Sequence, residues 1–140
     1  MKKTFTLLVS CFCFAATFAQ TPLTFHDYSA LSILGDSIHF SQYYGKKVMV
    51  VNTASYCVYT PQFTDLESLY TQYHQYNFEI IGFPCNDFAN QDPHNDSAIL
   101  QVCNGYNVTF QMMDKVQTST GFVTPVYQWL EQQSLNGVSY

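Results

Sequence analysis

The chain contains no arginine, and its five lysines face ten aspartates and glutamates over 140 residues, for a formal net charge of −5. Two of those lysines, Lys2 and Lys3, stand at the extreme N-terminus. No basic patch remains to neutralise phosphates, which excludes nucleic acid and anionic membrane surfaces as partners. The sequence also lacks a C-x-x-C pair, so no local dithiol of the exchange-protein kind is available. His26, His39, His74 and His94 show no metal-ligand spacing among themselves or with the cysteines, and no metal or other cofactor is expected. Internal repeats, linkers and low-complexity runs are absent as well. Tryptophan occurs once, as Trp129, whereas eleven tyrosines and twelve phenylalanines supply bulk for core and half-buried packing.

The long apolar stretch, Phe5 to Phe18, follows Lys2-Lys3 and ends in Thr17-Phe18-Ala19. It reads as a cleavable export signal over residues 1–19, too short and too weakly flanked for a stable membrane span. Export to the periplasm or outside the cell is the expected localisation. Leu8-Val9-Ser10-Cys11 also resembles a bacterial lipoprotein cleavage box, which makes lipid attachment at Cys11 the minority reading. Residues 20–140 are then one domain, large enough to bury a core without staples. Cys57, Cys85 and Cys103 remain in it. An odd count in an exported protein points to at least one free or reactive thiol rather than a disulfide framework.

The organising stretch is Val48 to Pro61. Val48-Met49-Val50-Val51 shows no alternation, as expected of a parallel strand buried on both faces. Thr60 is read as a helix cap with Pro61 in the first helical position, where the missing N–H costs nothing. Phe63, Leu66, Tyr70 and Tyr73 then recur on one helical face to about Gln75. Phe78 to Phe83 forms a second strand, completing a right-handed βαβ unit. Before it, Tyr28 to Leu34 and Ser37 to Phe40 make a hairpin about Gly35, and Ser41 to Gly45 a turn. After it, Cys85 to His94 is a polar loop, and Asn95 or Asp96 caps a short helix through Cys103 that Asn104-Gly105 stops. Val108 to Met113 is apolar enough for a strand. Thr124-Pro125 opens a last helix near Tyr127 to Gln132.

Cys57 thus lies near the carboxyl end of a strand and ahead of a helix N-terminus. In open α/β sheets ligands bind at that edge, and the positive helix end favours a thiolate. Two readings stand open for it, a functional thiol or a small core residue. Cys85, just past the second strand, opens the same sheet edge. Cys103 falls on an apolar helix face with Ile99 and Leu100, and both read as buried residues.

Taken together, the residues resemble the glutathione peroxidase family in its cysteine-containing form, with a thioredoxin-like α/β fold. The matching pieces are Ser41-Gln42-Tyr43 with Gly45-Lys46, Val51 to Cys57 with Thr60-Pro61-Gln62, and Leu66-Glu67 with Leu69-Tyr70. Gly82 to Phe88, Gln91-Asp92-Pro93, Tyr106 to Phe110 and Pro125 follow in family order, from about Phe25 to Leu130. The resemblance implies that Cys57 is the peroxidatic cysteine, Gln91 a hydrogen-bonding partner of its sulfur, and Cys103 the resolving cysteine. Cys85 matches a family cysteine that is usually dispensable. The implied substrates are hydrogen peroxide or organic hydroperoxides. The implied reductant is thioredoxin-like rather than glutathione, whose two carboxylates would have no guanidinium to hold them.

Two departures from the family pattern carry expectations of their own. Asp87 stands where the family commonly has glutamine, which would place a negative charge close to Cys57. The family continues with a Trp-Asn strand, a further strand and a terminal helix, whereas this chain stops at Tyr140, and Trp129 does not match the active-site tryptophan. The expected fold therefore lacks the last two strands and terminal helix, leaving Val48 to Val51 at an open edge through which two copies could dimerise. A free thiol of pKa ~8.5 needs ~2 kcal/mol of differential stabilisation to become mostly thiolate at neutral pH. A helix terminus offers ~0.3–1 kcal/mol and one charge-assisted hydrogen bond ~1.5–3 kcal/mol. Slow peroxidase activity is expected, the alternative being a weakly active or inactive relative serving as redox sensor or binding module.

Overall fold

A computed structural model describes residues 23–119 and 121–132. The expected leader over residues 1–19, Cys11 and Tyr140 lie outside the described residues. The described part opens with an antiparallel hairpin of β1 (Ser29–Leu31) and β2 (Ser37–His39), Ser29 facing His39. Gly35, at φ +90°, makes the reversal that a side chain would strain. A 3₁₀ turn, Phe40–Tyr43, then drops Phe40 and Tyr43 into the core.

The centre of the fold is parallel. β3 (Lys47–Thr53) pairs with β4 (Phe78–Pro84) from Lys47 opposite Phe78 to Thr53 opposite Pro84, and α1 (Phe63–Tyr73) is the crossover. Asn77, in the left-handed conformation at φ 60°, turns the chain from the end of this crossover into β4. α2 (Asp96–Gly105) is capped by the Asn95 side chain, which accepts the Ala98 N–H. It leads into β5 (Gln111–Met112), parallel to β4, so the sheet order is β3-β4-β5. α3 (Pro125–Glu131) closes the described chain.

Alternation along the strands sends side chains to two cores. On one face Val48, Val50, Ile81 and Phe83 meet Phe40 and Tyr43 of the turn and Val126 and Tyr127 of α3. On the other, Val51 and Ile80 meet Phe63, Leu66, Leu69 and Tyr70 of α1 and Ile99 and Cys103 of α2. The arrangement is a helix-sheet-helix sandwich, the α/β architecture that the βαβ pattern predicts. Glu79, buried at the start of β4, is held by Lys46 at 2.7 Å, which offsets the cost of desolvating its carboxylate.

Three readings of the sequence need correction. Burial on both faces belongs to β4, buried from Glu79 to Pro84, whereas β3 alternates and leaves Met49 37% exposed. The cause is position: β4 has a strand on each side, while among the described residues β3 has only β4. Thr60 does not cap α1, which begins at Phe63 behind a 3₁₀ turn, Thr60–Gln62, that takes Pro61. The helical face is Phe63, Leu66, Leu69 and Tyr70, and Tyr73 is largely exposed.

Candidate active site

Cys57 lies four residues beyond β3, in a turn tied together by polar groups. The Cys57 N–H donates to Thr60 Oγ1 at 3.0 Å, and that hydroxyl reaches the Cys57 and Ala54 carbonyls at 2.8 and 3.0 Å. Thr60 thus binds backwards onto the cysteine instead of forwards into the helix. The turn is stitched to the loop after β4 by two strands of hydrogen bonds. The Tyr56 N–H donates to the Gln91 carbonyl at 2.9 Å, and the Ser55 N–H to Asp92 Oδ1 at 3.1 Å, with the Ser55 hydroxyl on the same oxygen. Cys57 is half-buried, and the Tyr59 N–H points at its sulfur from 3.4 Å. The helix end expected near the sulfur is therefore replaced by a single backbone donor of the turn, since α1 starts six residues further on.

A cavity of about 340 Å³ opens in front of this sulfur. Cys57, Gln91, Gln62 and Asn52 supply its polar wall, and Val51, Phe63, Leu66 and Phe88 its apolar one. Cys57 and Gln91 are thus brought to one site. The Gln91 carbonyl accepts the Tyr56 N–H, and among the described residues no hydrogen bond joins the Gln91 side chain to the Cys57 sulfur. Cys85 lines the same cavity, although its thiol is buried and lies 3.4 Å from Thr118 Oγ1.

Cys103 stands apart. It is 1% exposed in the core between α1 and the sheet, and it does not line the cavity. Its neighbours Val102 and Tyr106 instead share a second, shallower concavity with Cys57 on the α2 side of the turn. Burial, and after it the charge of Asp92, pushes the Cys103 thiol up to about 11. A protonated, buried thiol is a poor nucleophile, so any meeting with Cys57 requires the end of α2 or the turn to open. All three cysteines are free in this state.

Asp87 has partners that the sequence does not announce. Its Oδ2 accepts the Thr118 and Ser119 N–H groups at 2.7 and 2.9 Å, and Asp87 is not on the cavity wall. The carboxylate thus holds the backbone at 118 and 119, next to the Thr118 hydroxyl that meets Cys85. Trp129 donates its indole N–H to the Leu23 carbonyl at 2.9 Å and packs near Phe25 and Tyr28, remote from the cavity. Sequence reasoning missed Ser55, Tyr59 and Thr60 as site residues, and Lys115, whose ammonium binds the carbonyls of Asp92 and His94 and pins the Gln91 loop. The one available signal was the run of small polar residues from Asn52 to Ser55, too generic to assign.

With this geometry in hand, the sequence profile of glutathione peroxidases matches residues 25–131. The chain belongs to the glutathione peroxidase family. It is 43% identical over 118 residues to a glutathione peroxidase of Lactococcus lactis subsp. cremoris, covering 84% of this chain and 75% of that relative. A glutathione peroxidase-like peroxiredoxin of Schizosaccharomyces pombe is 46% identical over 110 residues, 78% of this chain and 70% of that one. The crystal structure of Trgpx in its apo form superposes with a TM-score of 0.63 at 33% identity, over 81% of this chain and 67% of that one. The thioredoxin-like α/β fold is therefore the family's own, and the β3-turn-α1 segment carrying Cys57 falls inside the matched region. Among the described residues, no cluster of histidine, cysteine or acidic side chains is arranged to hold a metal ion.

Proposed function

We propose that this glutathione peroxidase family member reduces hydroperoxides by a two-cysteine cycle through Cys57 and Cys103. Membership of the family makes the chain a thiol peroxidase. The observation that carries the assignment of residues is the half-buried Cys57 at the carboxyl edge of β3, on the wall of a cavity that it shares with Gln91. The Cys57 thiolate attacks the terminal peroxide oxygen, the O–O bond breaks, and the alkoxide or hydroxide leaves after taking a proton. Sulfur loses two electrons and becomes a sulfenic acid. The Cys103 thiol then attacks that sulfur, forming the S–S bond and releasing water. A dithiol reductant of thioredoxin type returns both electrons. Glutathione is the weaker candidate, because no arginine is available to bind its carboxylates.

The Lys2-to-Ala19 leader supports export to the periplasm or outside the cell, which the mass of the N-terminus of the mature protein tests: it should begin at Gln20. A lipid-modified Cys11 would reverse that reading. Among the described residues β3 pairs only with β4, and that open side, with Met49 exposed, supports self-association through that edge. The catalytic assignment is tested by following peroxide-dependent NADPH oxidation coupled through thioredoxin reductase and thioredoxin, and by peptide mapping after peroxide. Cys57→Ser should lose all turnover, and the native chain should yield a Cys57–Cys103 peptide. Full activity in Cys57→Ser, or a dominant Cys57–Cys85 link, would sink it.

A further inference from the structure

Asp92 has no exposed surface, and its four polar contacts reach three separate parts of the chain, at Ser55, Asn86 and Lys115. Oδ1 takes the N–H and hydroxyl of Ser55, two residues before Cys57. The Asp92 N–H donates to Asn86 Oδ1 at 2.9 Å, and its carbonyl accepts from Lys115 Nζ at 2.7 Å. Oδ2 is buried with no hydrogen-bond partner among the described residues. A carboxylate in such a place is not there for packing, because an unpaired buried acceptor disfavours the folded state. Gln91, one residue back, is held in the cavity wall by the same anchorage through its carbonyl and Tyr56. Three residues further on, Asn95 starts the helix that carries Cys103.

We propose that Asp92 is the positioning residue that couples the two thiols: through Ser55 it holds the Cys57 turn while peroxide is reduced, and it governs when Cys103 enters the second step. The inference rests on the two-cysteine reading above. The charge of Asp92 also acts on Cys103, second to burial in raising that thiol. The other charged groups that face this region are Asp96, whose carboxyl is raised by burial and then by the neighbouring Asp114 charge, Lys115, which opposes that shift, and His94, whose ring lies against Tyr56. Breaking the Ser55 contact frees the turn and separates Cys57 from the carboxylate that restrains its partner.

The test resolves the two steps in the full chain. Quenched-flow with hydrogen peroxide and no reductant, followed by alkylation and mass spectrometry, times the Cys57 sulfenic acid and the Cys57–Cys103 disulfide separately from pH 5 to 10. In Asp92→Asn, which keeps an acceptor for Ser55 and removes the charge, the pH midpoint of disulfide formation should fall by about half a unit or more. In Ser55→Ala, sulfenic acid formation should slow about tenfold through a misplaced turn, while the midpoint of disulfide formation stays. A merely structural Asp92 would slow both steps and move no midpoint. An unmoved midpoint in Asp92→Asn overturns the proposal, as does native-rate sulfenic acid formation in Ser55→Ala, the variant that carries the test if Asp92→Asn does not fold. A native chain that makes no Cys57–Cys103 disulfide overturns the two-cysteine reading itself, whatever the variants do.

Discussion

Replacing Thr60 by valine removes a hydroxyl and keeps the shape, and the structure states what that hydroxyl does. It accepts the Cys57 N–H at 3.0 Å and donates its single proton to the Cys57 or Ala54 carbonyl at 2.8 or 3.0 Å. The Thr60 N–H still reaches the Cys57 carbonyl at 3.1 Å, so that acceptor survives the change. The Cys57 N–H does not find a new partner in the fold. A net hydrogen bond contributes about 0.5–1.5 kcal/mol, and an orphaned buried donor costs about 1–3 kcal/mol. Because Cys57 is only half-buried, water repairs part of the loss. The expected destabilisation is about 1–2 kcal/mol, a drop in Tm of about 4–10 °C for a domain of this size. The larger effect is on rate, since the sulfur moves relative to Gln91 and the Tyr59 N–H, and a misplacement of this kind is worth about tenfold. Reductant-coupled peroxide consumption and a thermal melt measure both. Thr60→Ser, which restores donor and acceptor, should recover most of the rate. Native rate and melting in Thr60→Val, or equal damage in Thr60→Ser, would refute the argument.

Other outcomes follow from single features. Gly82 in β4 has no room for a side chain, because an added Cβ would lie 2.5 Å from Met112 Sδ; Gly82→Ala should lose about 1–3 kcal/mol by urea unfolding, with part of it returned in the double variant with Met112→Ala. Ala89 holds φ 53°, so Ala89→Gly should be neutral or raise Tm slightly, in contrast to the loss that glycine usually brings. Met49→Lys, on the exposed edge strand, should shift size-exclusion profiles toward monomer if copies meet there; an unchanged profile would place self-association elsewhere. Folding stability should decline as pH rises from about 9 to 11, because the Cys103 thiol is raised to about 11 in the fold and the unfolded chain releases that proton earlier. Denaturant midpoints in Cys103→Ser should fall less steeply across the same window.

Strand, crossover helix and second strand were legible from the chain because they are written in local patterns: the apolar run Val48 to Val51, the helical spacing after Pro61, the apolar run Phe78 to Phe83. So was the candidacy of Cys57, since the odd cysteine count and its place after a parallel strand are properties of order along the chain. Asn95 as the cap of α2 was one of two choices read from sequence, and it is the one that forms. What local pattern could not supply was the partner of each polar group. Thr60 looks like a cap from its neighbours, yet it turns back to Cys57 because the turn brings that N–H within reach first. Asp87 gives no sign in the sequence that its carboxylate will bind the backbone of residues 118 and 119, some thirty positions away. The burial of β4 rather than β3 depends on which strand has two neighbours, a property of the assembled sheet. Hydrophobic periodicity is short-ranged and survives in one dimension. Hydrogen bonds and charges are settled by whichever groups folding brings together, and only the tertiary structure decides that.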